Sequence, residues 1–308
     1  MTPDDVNRYN LEGNKLAKKA QSAVKGSAFG NLFSSKSQRV DDAIELYKRA
    51  LDNYKLAKNW IECAAINQEC AMLSAAVGES RDAATFSVEG GDFLMRAKEE
   101  EKAVGLYKEA VENFKKNGAF DQAAAQLKKI GEYYEKEIEP EVAVEYYKSA
   151  ADMYSLAKYH QTDSSKLKLK VAELYSQQFE NPSRLKEAIK TYEELADEYL
   201  SNNLMRFHAK DILVKATIIF LVLDDDIGAE KSLDKYLDMD PSFNNSYEAK
   251  FLRNIIKACR EKNSEEFSDA VAQLMKRTTI ENPMKQMLGY IKQSMGKTQA
   301  LEGDDNPL

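Results

Sequence analysis

The sequence predicts an all-α protein, a stack of antiparallel helical hairpins followed by a helical bundle. Three observations lead there. Glycine (13) and proline (6) are sparse among 308 residues, while the helix formers Ala, Leu, Lys and Glu dominate. The polar/apolar alternation of half-buried strands is hard to find. One amphipathic pattern also returns about every twenty residues along the first half of the chain.

The first segment reads as a charged helix and is followed by "KGSAFGNLFSSKSQ" (25–38), a Gly/Ser-rich stretch carrying Phe29, Leu32 and Phe33. Loops lie at the surface, where such side chains have nothing of their own to pack against. Residues 1–39 also hold seven Lys/Arg against three acids, although the whole chain has a net charge of −7. The apolar loop therefore sits in the most basic part of an acidic protein. That overall charge argues against a general nucleic-acid binder.

The repeat follows. In "AIELYKRALDNYKLAK" (43–58), Ala43, Tyr47, Ala50 and Tyr54 are spaced four, three and four apart, so they share one helical stripe. The stripe returns as Ala103, Tyr107, Ala110 and Phe114, then as Ala143, Tyr147, Ala150 and Tyr154, with a related copy in "AIKTYEELADEYL" (188–200). Small residues let a neighbouring helix approach, and the ring fills the space between them, so these tyrosines belong to the core. Further helical segments begin near Ala64, Ala83 and Ala123, which makes hairpins of about forty residues. Breakers mark the junctions in "VGES", "KNGAF", "EIEPE" and "FENPS". The stripe resembles the second helix of a tetratricopeptide repeat (TPR), without that repeat's Trp-Leu-Gly pattern in the first helix. The fold class is then a right-handed superhelical stack of TPR-like antiparallel helical hairpins with a C-terminal helical bundle.

Past residue 200 the period fades. "LMRFHAKDILVKATIIFLVLDDD" (204–226) and "SYEAKFLRNIIKACREKN" (246–263) are more uniformly apolar and suit a compact closing bundle. The run "ILVKATIIFLVL" is too short to span a bilayer and contains Lys215, so it is expected to be a buried helix. "GKTQALEGDDNPL" shows no helical stripe and is expected to be flexible. The expected divisions are hairpins over 1–200, including an attachment loop at 26–37, a bundle over 201–295 and an acidic tail over 296–308.

No catalytic chemistry can be assembled. His160 and His208 lie in separate segments, and Cys63, Cys70 and Cys259 have neither metal-ligand nor disulfide-framework spacing. They fit a reducing compartment, and "MTPDDVNRYNLEGNK" lacks the apolar core of a signal peptide. "GSAFGNLF" fails the phosphate-loop pattern. Acidic runs such as Asp224–Asp226 fall at predicted helix starts, where carboxylates cap amides. The expectation is a binding protein without catalytic residues, cofactor, metal, small-molecule substrate or nucleic-acid partner.

Several stretches, in order, resemble the soluble NSF attachment proteins: "FGNLFSSKS", "YKLAKNW", "RDAATFSVEGGDF", "NGAFDQAA", "KLKVAEL", "LMRFHAKDILVKA" and "DPSFNNSYEAKFLRNIIKA", spanning roughly residues 10–295. The resemblance implies an adaptor that binds the SNARE four-helix bundle and recruits the hexameric AAA+ ATPase NSF, which pulls the bundle apart. It implies a cytosolic protein peripherally associated with membranes. Phe29, Leu32 and Phe33 would touch the bilayer, helped by Lys25 and Lys36 on anionic lipid. Burying three such side chains is worth at most roughly 5–9 kcal/mol, a weak and reversible anchor. By the same resemblance Lys166, Lys170, Leu204 and Lys210 would face the SNARE bundle. A family lysine is replaced by Ala125 here, and Lys128 and Lys129 lie one turn further on. Asp304, Asp305 and Leu308 match the acid-plus-leucine element that stimulates the ATPase, with Asn306 and Pro307 inserted. The rival reading is a helical-repeat scaffold that grips another helix or peptide without membrane contact.

Overall fold

A computed structural model describes residues 1–25, 35–137, 139–202 and 205–303, with side chains through 296. Among the described residues there are fourteen α-helices, one short 3-10 turn and no strand. The chain divides into two compact units, residues 1–164 and 165–308.

The first unit holds α1 (Pro3–Lys25), α2 (Lys36–Leu56), α3 (Trp60–Ala76), α4 (Ser80–Arg96), α5 (Glu100–Lys116), α6 (Phe120–Lys136) and α7 (Pro140–Leu156), and runs into α8 (Gln161–Ser176). From α3 to α7 the helices start twenty residues apart, and each packs on the next. Turns this short make neighbours antiparallel. The result is a stack of TPR-like hairpins.

The turns share one chemistry. Lys58 (φ 55°), Gly78 (φ 88°), Lys98 (φ 61°) and Gly118 (φ 69°) take the left-handed conformation, again twenty residues apart. One residue later, the amides of Asn59, Glu79, Glu99 and Ala119 return to the carbonyls of Tyr54, Ser74, Leu94 and Phe114 at 2.9–3.0 Å, and the Glu139 amide makes the same bond to Tyr134 at 2.9 Å. This is the Schellman arrangement, which satisfies carbonyls that the helix end would otherwise leave open.

The predicted stripe is the core. Ala43, Ala50, Ala103, Ala110, Ala143 and Ala150 are fully buried, as are Tyr47, Tyr54, Tyr107, Phe114 and Tyr147 to within a few per cent. Tyr154 is only half-buried. Three of the rings lie against glycines of the preceding helix, Tyr54 against Gly13, Tyr107 against Gly91 and Tyr147 against Gly131. A Cβ added at Gly91 would come within 2.5 Å of the Tyr107 ring, and one at Gly131 within 2.8 Å of Tyr147. Each phenol then donates back to that same helix, Tyr107 to Asp92 and Tyr147 to Glu135, both at 2.7 Å.

The second unit holds the rest of α8, then α9 (Pro182–Leu200), α10 (Arg206–Val222), α11 (Asp226–Met239), α12 (Tyr247–Arg260), α13 (Ser264–Met275) and α14 (Asn282–Gly303). α10 is buried nearly all round and packs on α9, α11, α12 and α14, which accounts for its apolar run. Asp225, Ser246 and Asn263 cap α11, α12 and α13.

Two boundaries differ from expectation. The units divide inside α8, not at residue 200, because α8 and α9 are tied to each other and to α10. Ser165 hydrogen-bonds Glu198, and Glu173 accepts from Lys215. Regular structure also continues past 295. α14 extends to Gly303, since Lys297, Gln299, Ala300, Leu301 and Glu302 are good helix formers with no breaker among them.

Candidate partner-binding surface

The expected contact residues fall into three groups. Lys166 and Lys170 sit one turn apart on α8, the first exposed and the second half-buried. Residues four apart lie one above the other on a helix face, about 5–6 Å between Cβ atoms. Each also engages another group of the protein. Lys210, half-buried, is in the first turns of α10. Leu204 lies outside the described residues.

Lys128 and Lys129 belong to the first unit, on α6, and they differ. Lys128 is exposed and makes a loose pair with Glu132 at 3.6 Å. Lys129 is committed internally. Its ammonium bonds Asp92 at 2.9 Å and sits 4.9 Å from the centre of the Tyr107 ring, which itself donates to Asp92. Of the two, Lys128 is the more exposed, and Lys129 is the one held by a close internal partner.

At the edges of the expected attachment loop, Lys25 is exposed in the last turn of α1. Lys36 donates to the Ala76 carbonyl at 3.1 Å, at the C-terminal end of α3, where the helix dipole favours a cation. Ser35 caps α2 through its hydroxyl. Phe29, Leu32, Phe33, Asp304, Asp305 and Leu308 lie outside the described residues.

Sequence reasoning missed a set of cation–aromatic clusters in the first unit. The Lys108 ammonium lies 5.6 and 5.5 Å from the ring centres of Tyr134 and Tyr146, whose rings are parallel and 5.4 Å apart. The Tyr146 hydroxyl raises the Lys108 ammonium above the ordinary lysine value, against the opposing effect of burial, with help from Tyr134. Arg96 lies 5.5 Å from both Trp60 and Phe93. Lys108, Tyr134 and Tyr146 come from three different helices and Trp60 from another helix than Arg96, so no local spacing announces those contacts, whereas Phe93 and Arg96 are three apart on α4. Such contacts are worth about 0.5–1 kcal/mol at exposed sites.

The thiols offer no nucleophile. Burial pushes Cys63 up to about 11 and Cys70 and Cys259 up to about 12, so they stay protonated near neutrality. Among the described residues, no three His, Cys, Asp or Glu side chains cluster as a metal site, and no helix is long and apolar enough to cross a membrane.

The stacked hairpins and the bundle define a helical-repeat protein whose helices carry exposed lysines. The profile of the soluble NSF attachment proteins matches residues 11–296. The chain is 30% identical to the beta-soluble NSF attachment protein of Bos taurus, over 95% of its length and 94% of that protein. It is 29% identical to the alpha-soluble NSF attachment protein of Mus musculus, covering 99% of both. The probable vesicular-fusion protein sec17 homolog of Schizosaccharomyces pombe is 27% identical over 83% of this chain and 86% of that protein. The chain belongs to the soluble NSF attachment protein family.

Proposed function

We propose that this protein is an adaptor that binds assembled SNARE complexes at membranes and recruits and stimulates NSF for their ATP-driven disassembly. The observation that carries this reading is the family match over nearly the whole chain, through both units. The stacked hairpins support it, since a rigid helical face suits a rod-shaped helical partner. Lys166 and Lys170 would offer that partner a basic strip on an acidic protein. Lys210 and Leu204 in the second unit and, separately, Lys128 in the first are further proposed SNARE contacts, and Lys129 contributes only if its bond to Asp92 opens. Phe29, Leu32 and Phe33, flanked by Lys25 and Lys36, hold the adaptor weakly to anionic lipid, and several copies around one bundle supply avidity. Asp304, Asp305 and Leu308 engage the ATPase. The adaptor itself performs no catalysis.

The test incubates the full chain with a preassembled SNARE complex and NSF, with ATP or a non-hydrolysable analogue. A ternary complex with the analogue and disassembly with ATP are expected. Absence of both removes the reading and leaves a helical scaffold for another partner. Lys166→Glu with Lys170→Glu should weaken SNARE capture at least ten-fold, more at low salt. Phe29→Ser with Phe33→Ser should abolish liposome flotation and leave the melting temperature unchanged.

A further inference from the structure

The second unit contains a cavity of about 380 Å³ that the adaptor role does not use. Small-molecule sites fall in the range of about 300–1,000 Å³. Its walls are mixed: Ile212 and Val214 of α10, Phe251 of α12 and Leu274 of α13 give them an apolar side, and Met205 and Met284 also line it. Tyr199, His208, Thr278 and Glu281 are among the polar lining residues.

Charge is distributed unevenly around this space. Lys215 lines the cavity, but its ammonium is held by Glu173 at 2.9 Å and Glu281 at 2.8 Å. Asp211 and Glu248 also line it and make no ion pair among the described residues. Asp211 is held above the ordinary carboxylate value, first by burial and then by Glu248, and His208 and Lys215 offset this only in part. An anion entering the cavity would meet two more negative groups. A neutral apolar molecule would fill the apolar side of the walls and cover Asp211, which is otherwise exposed, and Glu248, which is half-buried, without giving either carboxylate a partner, which is costly. A cation on an apolar body satisfies both.

We infer that the cavity between α10, α12 and α13 is a binding site for an organic amine, an ammonium group carried on a hydrocarbon or aryl body, with Asp211 and Glu248 receiving the cation. This inference does not depend on SNARE or NSF binding.

The test uses three probes of one shape: 4-phenylbutylamine, 4-phenylbutan-1-ol and 4-phenylbutyrate. Methyl-labelled methionine NMR of the full chain is the readout, because Met205 and Met284 line the cavity while Met72 is exposed in the other unit. The amine should shift Met205 and Met284 saturably and leave Met72 unmoved. The alcohol should bind at least ten-fold more weakly, and the carboxylate not at all. Asp211→Asn with Glu248→Gln should lower amine affinity at least ten-fold and leave alcohol binding unchanged. If the double variant fails to fold, Glu248→Gln alone should weaken the amine selectively. Equal binding of amine and alcohol, shifts spread equally to Met72, or no saturable shift would each overturn the site.

Discussion

Lys215 shows how much one side chain can organise. It is 8% exposed on the most buried helix of the second unit, and its ammonium joins α8 to the start of α14 through Glu173 and Glu281. Lys215→Met leaves the largely buried Glu173 without its cation, while Glu281 stays mostly in water, and should cost about 1–3 kcal/mol, read as a lower urea midpoint at unchanged slope. Burial alone would lower this lysine, but the bonds to Glu281 and Glu173 outweigh it and leave it above 10.5. A group raised on folding stabilises fully below its unfolded value and loses that contribution as pH climbs through the folded one. The Lys215 contribution should therefore stay constant through neutral pH and fade only above about 10.5, so the gap in Tm between wild type and Lys215→Met should narrow there. The sequence signalled that Lys215 interrupts an apolar run. It could not signal the partners, which are 42 and 66 residues away. Lys129 was illegible for the same reason, since Asp92 lies 37 residues off on another helix.

At the level of the helix, glycines of one residue type have opposite roles. A Cβ at Gly91 would meet the Tyr107 ring at 2.5 Å, and that ring is 4% exposed and anchored to Asp92, so it cannot yield cheaply. Gly91→Ala should destabilise by about 1–3 kcal/mol through overpacking. Gly105 has nothing within 4 Å of its Cβ position, and Gly105→Ala should stabilise by about 0.5–1 kcal/mol through helix propensity. Thermal melts of the two variants should move in opposite directions. The turns give a further case. Lys98 holds φ 61° where Gly118 holds 69° in the equivalent place. Lys98→Gly should raise stability by about 1 kcal/mol by removing the left-handed strain of a side-chain-bearing residue, which denaturant titration would detect. The aromatic stripe and the breakers at Gly78 and Gly118 were legible because local chemistry dictates them. Lys58 and Lys98 were not, because lysine carries no turn signature and takes that geometry only from the packing around it.

Across the whole chain, the two units are built on different principles, one a series of neighbours and the other a bundle around α10. Trp60, the only tryptophan, reports on the first unit alone. Its fluorescence and far-UV circular dichroism should give non-coincident denaturant transitions, and overlaid curves would show a single cooperative protein. The bundle was legible as a change of texture after residue 200, yet its edge at Ser164 was not, because α8 and α9 still carry repeat-like sequence while packing into the second unit. The evenly spaced Schellman turns reach further than stability. Because every joint from Lys58 to Gly118 is closed by the same bonds, excising residues 79–118 would set Gly78 directly before Ala119 and reproduce a joint that the chain already uses. The span of the stack is thus a modular quantity, open to lengthening or shortening by whole hairpins with no new connector to invent.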